Sequence, residues 1–234
     1  MKRTGRLLAF LIGPLALWLG GGGGVAAGEV HISTAGEIFN APVTSLREAR
    51  FRFIYLQQLD FSCGSAALAS LLTFHYNRPT TEREALLAMW KAGDQAKIQR
   101  LGFSLLDMKK YLATRNLRAD GFQVPFDNLI KARIPAIVLI DTNGYKHFVI
   151  VKGVRGDDVL VGDPALGVNV MPRSRFEAMW NGILFIIRDD VRIAQSTFNR
   201  DEEWTVRGKA PFGTALARDG LATFTMMLPG RNEF

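Results

Sequence analysis

The chain has 234 residues, 48% of them hydrophobic, and a formal net charge of +7 from 29 Lys and Arg against 22 Asp and Glu. That supplies core enough for one folded domain. The basic residues are scattered rather than interleaved with aromatics, which argues against a nucleic-acid surface, and no GxxxxGK[ST] segment is present to imply ATP.

Taken in chain order, Met1-Lys2-Arg3-Thr4-Gly5-Arg6 is basic, residues 7–19 are uncharged and apolar, and Val25-Ala26-Ala27 supplies small residues where a signal peptidase cuts. The order reads as an export signal over 1–27 with a mature start near Gly28. Left uncleaved, the same segment would anchor the protein, and it is the only expected membrane contact. Either way the folded part is expected in the periplasm. Removing the signal leaves 26 basic and 22 acidic residues, a net charge of about +4, so much of the basicity belongs to the signal.

A lead-in segment follows over 28–49. From Cys63 to Tyr76 the spacing of Ala66, Ala67, Leu68, Leu71 and Leu72 predicts a helix, stopped by Asn77-Arg78-Pro79. Thr81 with Glu84 reads as a capping box for a helix running to Gly93, and Ser104 with Asp107 opens a third towards Asn116. The texture then changes. Residues 118–124 read as a strand, 126–132 as a short helix and 135–141 as a strong strand. Asn143-Gly144 turns into a partner strand over 146–154, and Gly156-Asp157-Asp158 turns again into 159–163. A helix over 173–180 and a last strand over 182–188 complete the domain. Helices first and an antiparallel sheet second is an α+β arrangement. The domain is placed at 50–190, and 191–234 reads as an extension that either wraps it or stays partly mobile.

Cys63 is the one cysteine of the chain. An exported protein ordinarily uses cysteines in pairs, so a lone one is either a small buried hydrophobe or a thiol kept for its reactivity. A cysteine nucleophile needs its thiolate, which a helix N-terminus and a neighbouring imidazolium both favour. The position of Cys63 supplies the first. Of three histidines, His31 lies in a segment with no core pattern, and His75 is three helical turns, roughly 18 Å, from the thiol. His147 starts an apolar strand after a hairpin and is the best general base. An imidazole is usually oriented by a carboxylate. Asp163, at the end of the strand paired with that of His147, is favoured over Asp141 and Asp157, which belong more naturally to turns.

Gln57, Cys63-Gly64, His147 and Asp163-Pro164 together resemble the C39 peptidases, papain-like cysteine peptidases in which a glutamine stands six residues before Cys-Gly and a histidine precedes Asp-Pro by 16. The resemblance spans about residues 50–190. It implies a papain-like α+β cysteine peptidase fold, with Cys63 as nucleophile, His147 as base and then acid, Asp163 as orienting group and Gln57 as oxyanion-hole donor beside the Cys63 N–H. Gln58 is adjacent to Gln57, and family spacing favours Gln57. The resemblance also implies a polypeptide substrate, cleavage after Gly-Gly, a link to a secretion system such as those that export functional amyloid, and no cofactor or metal. Two other readings use the same residues: a non-cleaving substrate-binding module of a secretion system, and transglutaminase or amidase chemistry.

Overall fold

The computed structural model describes residues 28–34 and 37–206, so the export signal read over 1–27 and residues 207–234 of the extension lie outside the described residues. The chain divides into two units, 1–44 and 45–234. In the first, β1 (Gly28–Thr34) and β2 (Glu37–Val43) pair as an antiparallel hairpin, so His31 stands on a strand paired with Asn40.

The second unit begins with five helices: α1 (Leu46–Phe51), α2 (Cys63–His75), α3 (Glu82–Ala92), α4 (Gln95–Leu101) and α5 (Leu105–Thr114). The sheet strands follow as β3 (Ala119–Gln123), β4 (Ala136–Thr142), β5 (Tyr145–Arg155), β6 (Asp158–Asp163), β7 (Gly167–Pro172) and β8 (Trp180–Ile187). Among them lie α6 (Phe126–Ala132) and α7 (Arg173–Met179), and α8 (Val191–Thr197) and α9 (Asp201–Trp204) come last. The six strands form one antiparallel sheet in the order β3-β8-β4-β5-β6-β7. The α+β class expected from the sequence is the class observed.

Helix α2 holds no charged residue before His75, and its Ala66, Ala67, Leu68, Leu71 and Leu72 are all fully buried. A helix apolar all round has no solvent face, so it becomes the centre of the packing. Side chains alternate across the strands. Ile137, Ile150, Leu160, Phe185 and Ile187 share a core with α2, while Val138, Val149, Val151, Val159 and Val161 build a second with Phe126, Phe176 and Phe198.

Local signals resolve unequally. The Asn143-Gly144 turn has both residues in the left-handed region, at φ 55° and 87°, as a two-residue hairpin of this type requires. The capping box is complete at Ser104 and Asp107. At α3 only half of it forms: Thr81 Oγ accepts the Glu84 N–H, but the Glu84 carboxylate turns to Arg115 at 2.7 Å. Helices α1, α4, α8 and α9 and strands β1, β2 and β7 are not among the elements expected from the sequence. No helix among the described residues is long and apolar enough to cross a membrane.

Candidate active site

Cys63 opens α2, and what precedes it leaves that end of the helix unusually free. Ser62 occupies the N-cap position yet makes no capping bond, because its hydroxyl donates to the Leu59 carbonyl and accepts the Leu59 N–H, both at 3.0 Å. The first N–H groups of a helix have no intrahelical acceptor. With the cap spent on the preceding loop, they and the positive end of the helix dipole are directed at whatever stands beside Cys63.

The approach of the first turn of α2 to Met108 of α5 and to Phe103 depends on Gly64. A Cβ there would lie 2.8 Å from Met108 Cε, 3.1 Å from Phe103 Cβ and 3.5 Å from Phe148 Cδ2. The bare backbone lets the first helical turn settle against Met108 and Phe103, whereas Phe148, the neighbour of His147, would be met only at ordinary contact distance. The sequence reading took this glycine as part of a motif and did not identify its packing role.

His147 Nε2 and Asp163 Oδ1 are 2.7 Å apart, and both side chains are 8% exposed. Asp163 is held in turn, since its Oδ1 accepts the backbone N–H groups of Ala165 at 2.8 Å and Leu166 at 3.2 Å. Burial by itself would lower the pKa of His147. The hydrogen bond to Asp163, the nearby Cys63 thiol and the charges of both overcome that and raise it from 6.5 to about 9. Nδ1, the other ring nitrogen, is buried and makes no hydrogen bond of normal geometry. The imidazole thus has one nitrogen fixed by a carboxylate and the other available on the side of the thiol, and such contacts commonly tighten only when substrate is bound.

Gln57 is tied to the same end of the sheet, its backbone N–H donating to the Pro164 carbonyl at 2.9 Å. Its Nε2 donates to the Leu59 carbonyl at 3.2 Å, and its buried Oε1 has no partner. Gln58 is exposed and its amide turns back to Leu56. The structure therefore gathers Gln57, Cys63, His147 and Asp163 around one end of α2.

The residues set aside stay apart. His75 is fully buried at the far end of α2 with Nδ1 2.7 Å from Thr197 Oγ1, and burial with the nearby Lys152 and Arg200 charges holds its pKa well below 6.5. Asp141 accepts the Gly144 N–H within the hairpin turn. Among the described residues no group of three or more His, Cys, Asp or Glu side chains is arranged to hold a metal ion.

One neighbour went unremarked in the sequence. Tyr145 stands two residues before His147 on β5, so the two share a strand face, and their rings stack at 6.0 Å between centroids with 29° between planes. Its hydroxyl donates to the Asp60 carbonyl at 3.2 Å. Burial raises the pKa of this phenol, and the charges of Cys63, Asp60 and Asp163 raise it further. The i, i+2 spacing was the signal available.

The model of the Peptidase C39 family matches residues 52–191. A probable functional amyloid protease FapD of Pseudomonas fluorescens is 40% identical over 163 residues, which cover 69% of this chain and 72% of that protein. The probable functional amyloid protease FapD of Pseudomonas aeruginosa is 42% identical over 145 residues, covering 62% and 64%. Among solved structures, a double glycine motif protease from an AMS/PCAT transporter in complex with its leader peptide is 26% identical with a TM-score of 0.49, covering 57% of this chain and 89% of that one. The match over 52–191, with relatives of 40% identity or more, establishes that the chain belongs to the peptidase C39 family.

Proposed function

We propose that the protein is a periplasmic cysteine endopeptidase that cleaves an exported polypeptide through an acyl-enzyme on Cys63. The observation that carries this reading is His147, hydrogen-bonded on one nitrogen to Asp163 and electrostatically coupled to Cys63 on the other side. Cys63 as thiolate attacks the scissile carbonyl, forming the S–C bond while negative charge moves to the carbonyl oxygen. The Gln57 amide and the Cys63 N–H are the donors for that oxyanion, and removing one such donor typically costs about 10²–10³ in rate. His147 as imidazolium then protonates the leaving amine as the C–N bond breaks. Neutral again, it takes a proton from the water that hydrolyses the thioester. Asp163 fixes the ring and stabilises its charged form.

The likeness to relatives named functional amyloid proteases supports a secreted polypeptide as the substrate, and cleavage after Gly-Gly is the expectation that the C39 resemblance carries. The basic, apolar, small-residue order of residues 1–27 supports the periplasm as the site of action. The test is mass spectrometry of a periplasmic protein and peptide pool, with Gly-Gly peptides included, after incubation with the mature protein or its Cys63→Ala variant under reducing conditions. New termini formed only by the wild type establish the peptidase and read out its motif. Identical pools with retained binding point to a non-cleaving module, and amine incorporation points to transfer chemistry.

A further inference from the structure

We infer that Tyr145 is a positioning residue for His147: its hydroxyl, anchored on the Asp60 carbonyl, holds its ring against the imidazole and so keeps the charged ring stable and turned towards Cys63. This rests on the catalytic pair proposed above. The hydroxyl reaches from the hairpin wall of the site to the loop before Cys63, and the ring is held between that anchor and His147. At 55% exposure Tyr145 is too open for its place to be explained as core packing. A tyrosine face within about 6 Å of a cation stabilises it, by a factor of about two to five in equilibrium at partly exposed sites. The groups that face His147 are Asp163 on β6, Cys63 on α2 and Tyr145 on β5, while its β4 partner, Ile140, is apolar. Asp60 and the Tyr145 phenol, whose proton is held more tightly than usual, complete the set. Asp163 and Tyr145 are thus the two groups, one by charge and one by its ring, that favour imidazolium from outside the thiol.

The chain's single cysteine gives a readout that needs no substrate, since the rate of alkylation by iodoacetamide reports Cys63 alone. The full mature protein, Tyr145→Ala and Tyr145→Phe are compared from pH 4 to 10, with circular dichroism and thermal midpoints checking each fold. The wild type is expected to react rapidly at pH 5–6, where an isolated thiol does not. Tyr145→Ala is expected to react about three- to fivefold more slowly in that range and to converge with wild type above pH 9, while Tyr145→Phe, which keeps the ring but loses its anchor on Asp60, falls between the two. Equal acid-limb rates in wild type and Tyr145→Ala overturn the inference, as does a Phe variant as fast as wild type, which would show that the hydroxyl anchor does not hold the ring. A wild type with no reactivity at pH 5–6 refutes the Cys63–His147 pair itself, an outcome distinct from either.

Discussion

His147 is buried among opposing influences, and the balance predicts how it responds when one is removed. Burial favours the neutral ring, whereas Asp163 and Cys63 favour the charged one strongly enough to lift its pKa to about 9. A pKa raised in the folded state means that the pairing stabilises the fold fully below the ordinary value near 6.5, and that the gain is lost as pH climbs through 9. For activity the imidazolium must persist to protonate the leaving amine, so the alkaline limb of kcat/KM is expected near pH 9. In Asp163→Asn the main counterweight to burial is gone and the ring can settle in the wrong tautomer. The alkaline limb is then expected to fall to neutral pH or below, with a rate loss on the order of 10²–10⁴. The stability deficit of the variant should be greatest below pH 6.5 and shrink towards pH 9. A pH profile of peptide cleavage, with melts at pH 6 and pH 9, checks both.

Among the elements, α2 decides whether Cys63 and His147 meet at all, and Gly64 sets how close its first turn comes to Met108 of α5 and to Phe103. The Met108 methyl at 2.8 Å is the end of a flexible side chain and can move, but Phe103 Cβ at 3.1 Å is fixed to its backbone. Gly64→Ala is therefore expected to be partly accommodated. Gly64→Val should push the first turn of α2 off Met108 and Phe103 and so shift Cys63, cost about 1–3 kcal/mol by overpacking, and slow alkylation of Cys63 at pH 6 by about tenfold or more. Thermal melts and the iodoacetamide rate separate the two effects. The helix was legible in the sequence because its alanine and leucine spacing is unbroken, and the strands of the hairpin because their β-branched runs flank an Asn-Gly turn. By contrast α4 buries only Ile98, and β7 is interrupted by Gly167, Asn169 and the terminal Pro172, so neither carries a periodic apolar signal. Cys63, His147 and Asp163 were singled out by residue type and position and Gln57 by the family resemblance, and the structure brings the four to one end of α2. Tyr145 was not singled out, because its role depends on where a hairpin places one ring relative to a loop 85 residues earlier in the chain.

For the whole molecule, the question is whether the residues just beyond 190 belong to the packed body, and the sequence there, with several charges and few periodic apolar positions, offers little to decide it. The structure continues packing beyond 190. The β-bulge between Val151 and Gly153 lies at Lys152, a fully buried residue whose Nζ donates to the Phe53 carbonyl at 2.6 Å and pairs with the buried Glu203 of α9. Burial pulls the pKa of that ammonium down to about 8 despite the carboxylate. Around the pair, the Asn199 N–H donates to the Lys152 carbonyl, Asn199 Nδ2 to that of Val154, and Arg200 to that of Phe74. Thr197 meets His75, and Phe198 fills the second core. Losing a buried phenylalanine side chain alone costs about 3–5 kcal/mol, against about 5–15 kcal/mol for the stability of a whole domain. A chain ended at Asp190 would lose that side chain, the partners of Lys152 and His75, and Ala194 together. It is expected to show no cooperative thermal transition by circular dichroism. Glu203→Ala, which leaves the backbone in place but strands the ammonium, is expected to melt cooperatively at a clearly lower temperature, by about 3–5 kcal/mol of unfolding free energy. A chain ended at Asp190 that melts like the full protein would instead make 191–206 an accessory, and the Lys152 site would then have to be satisfied by water.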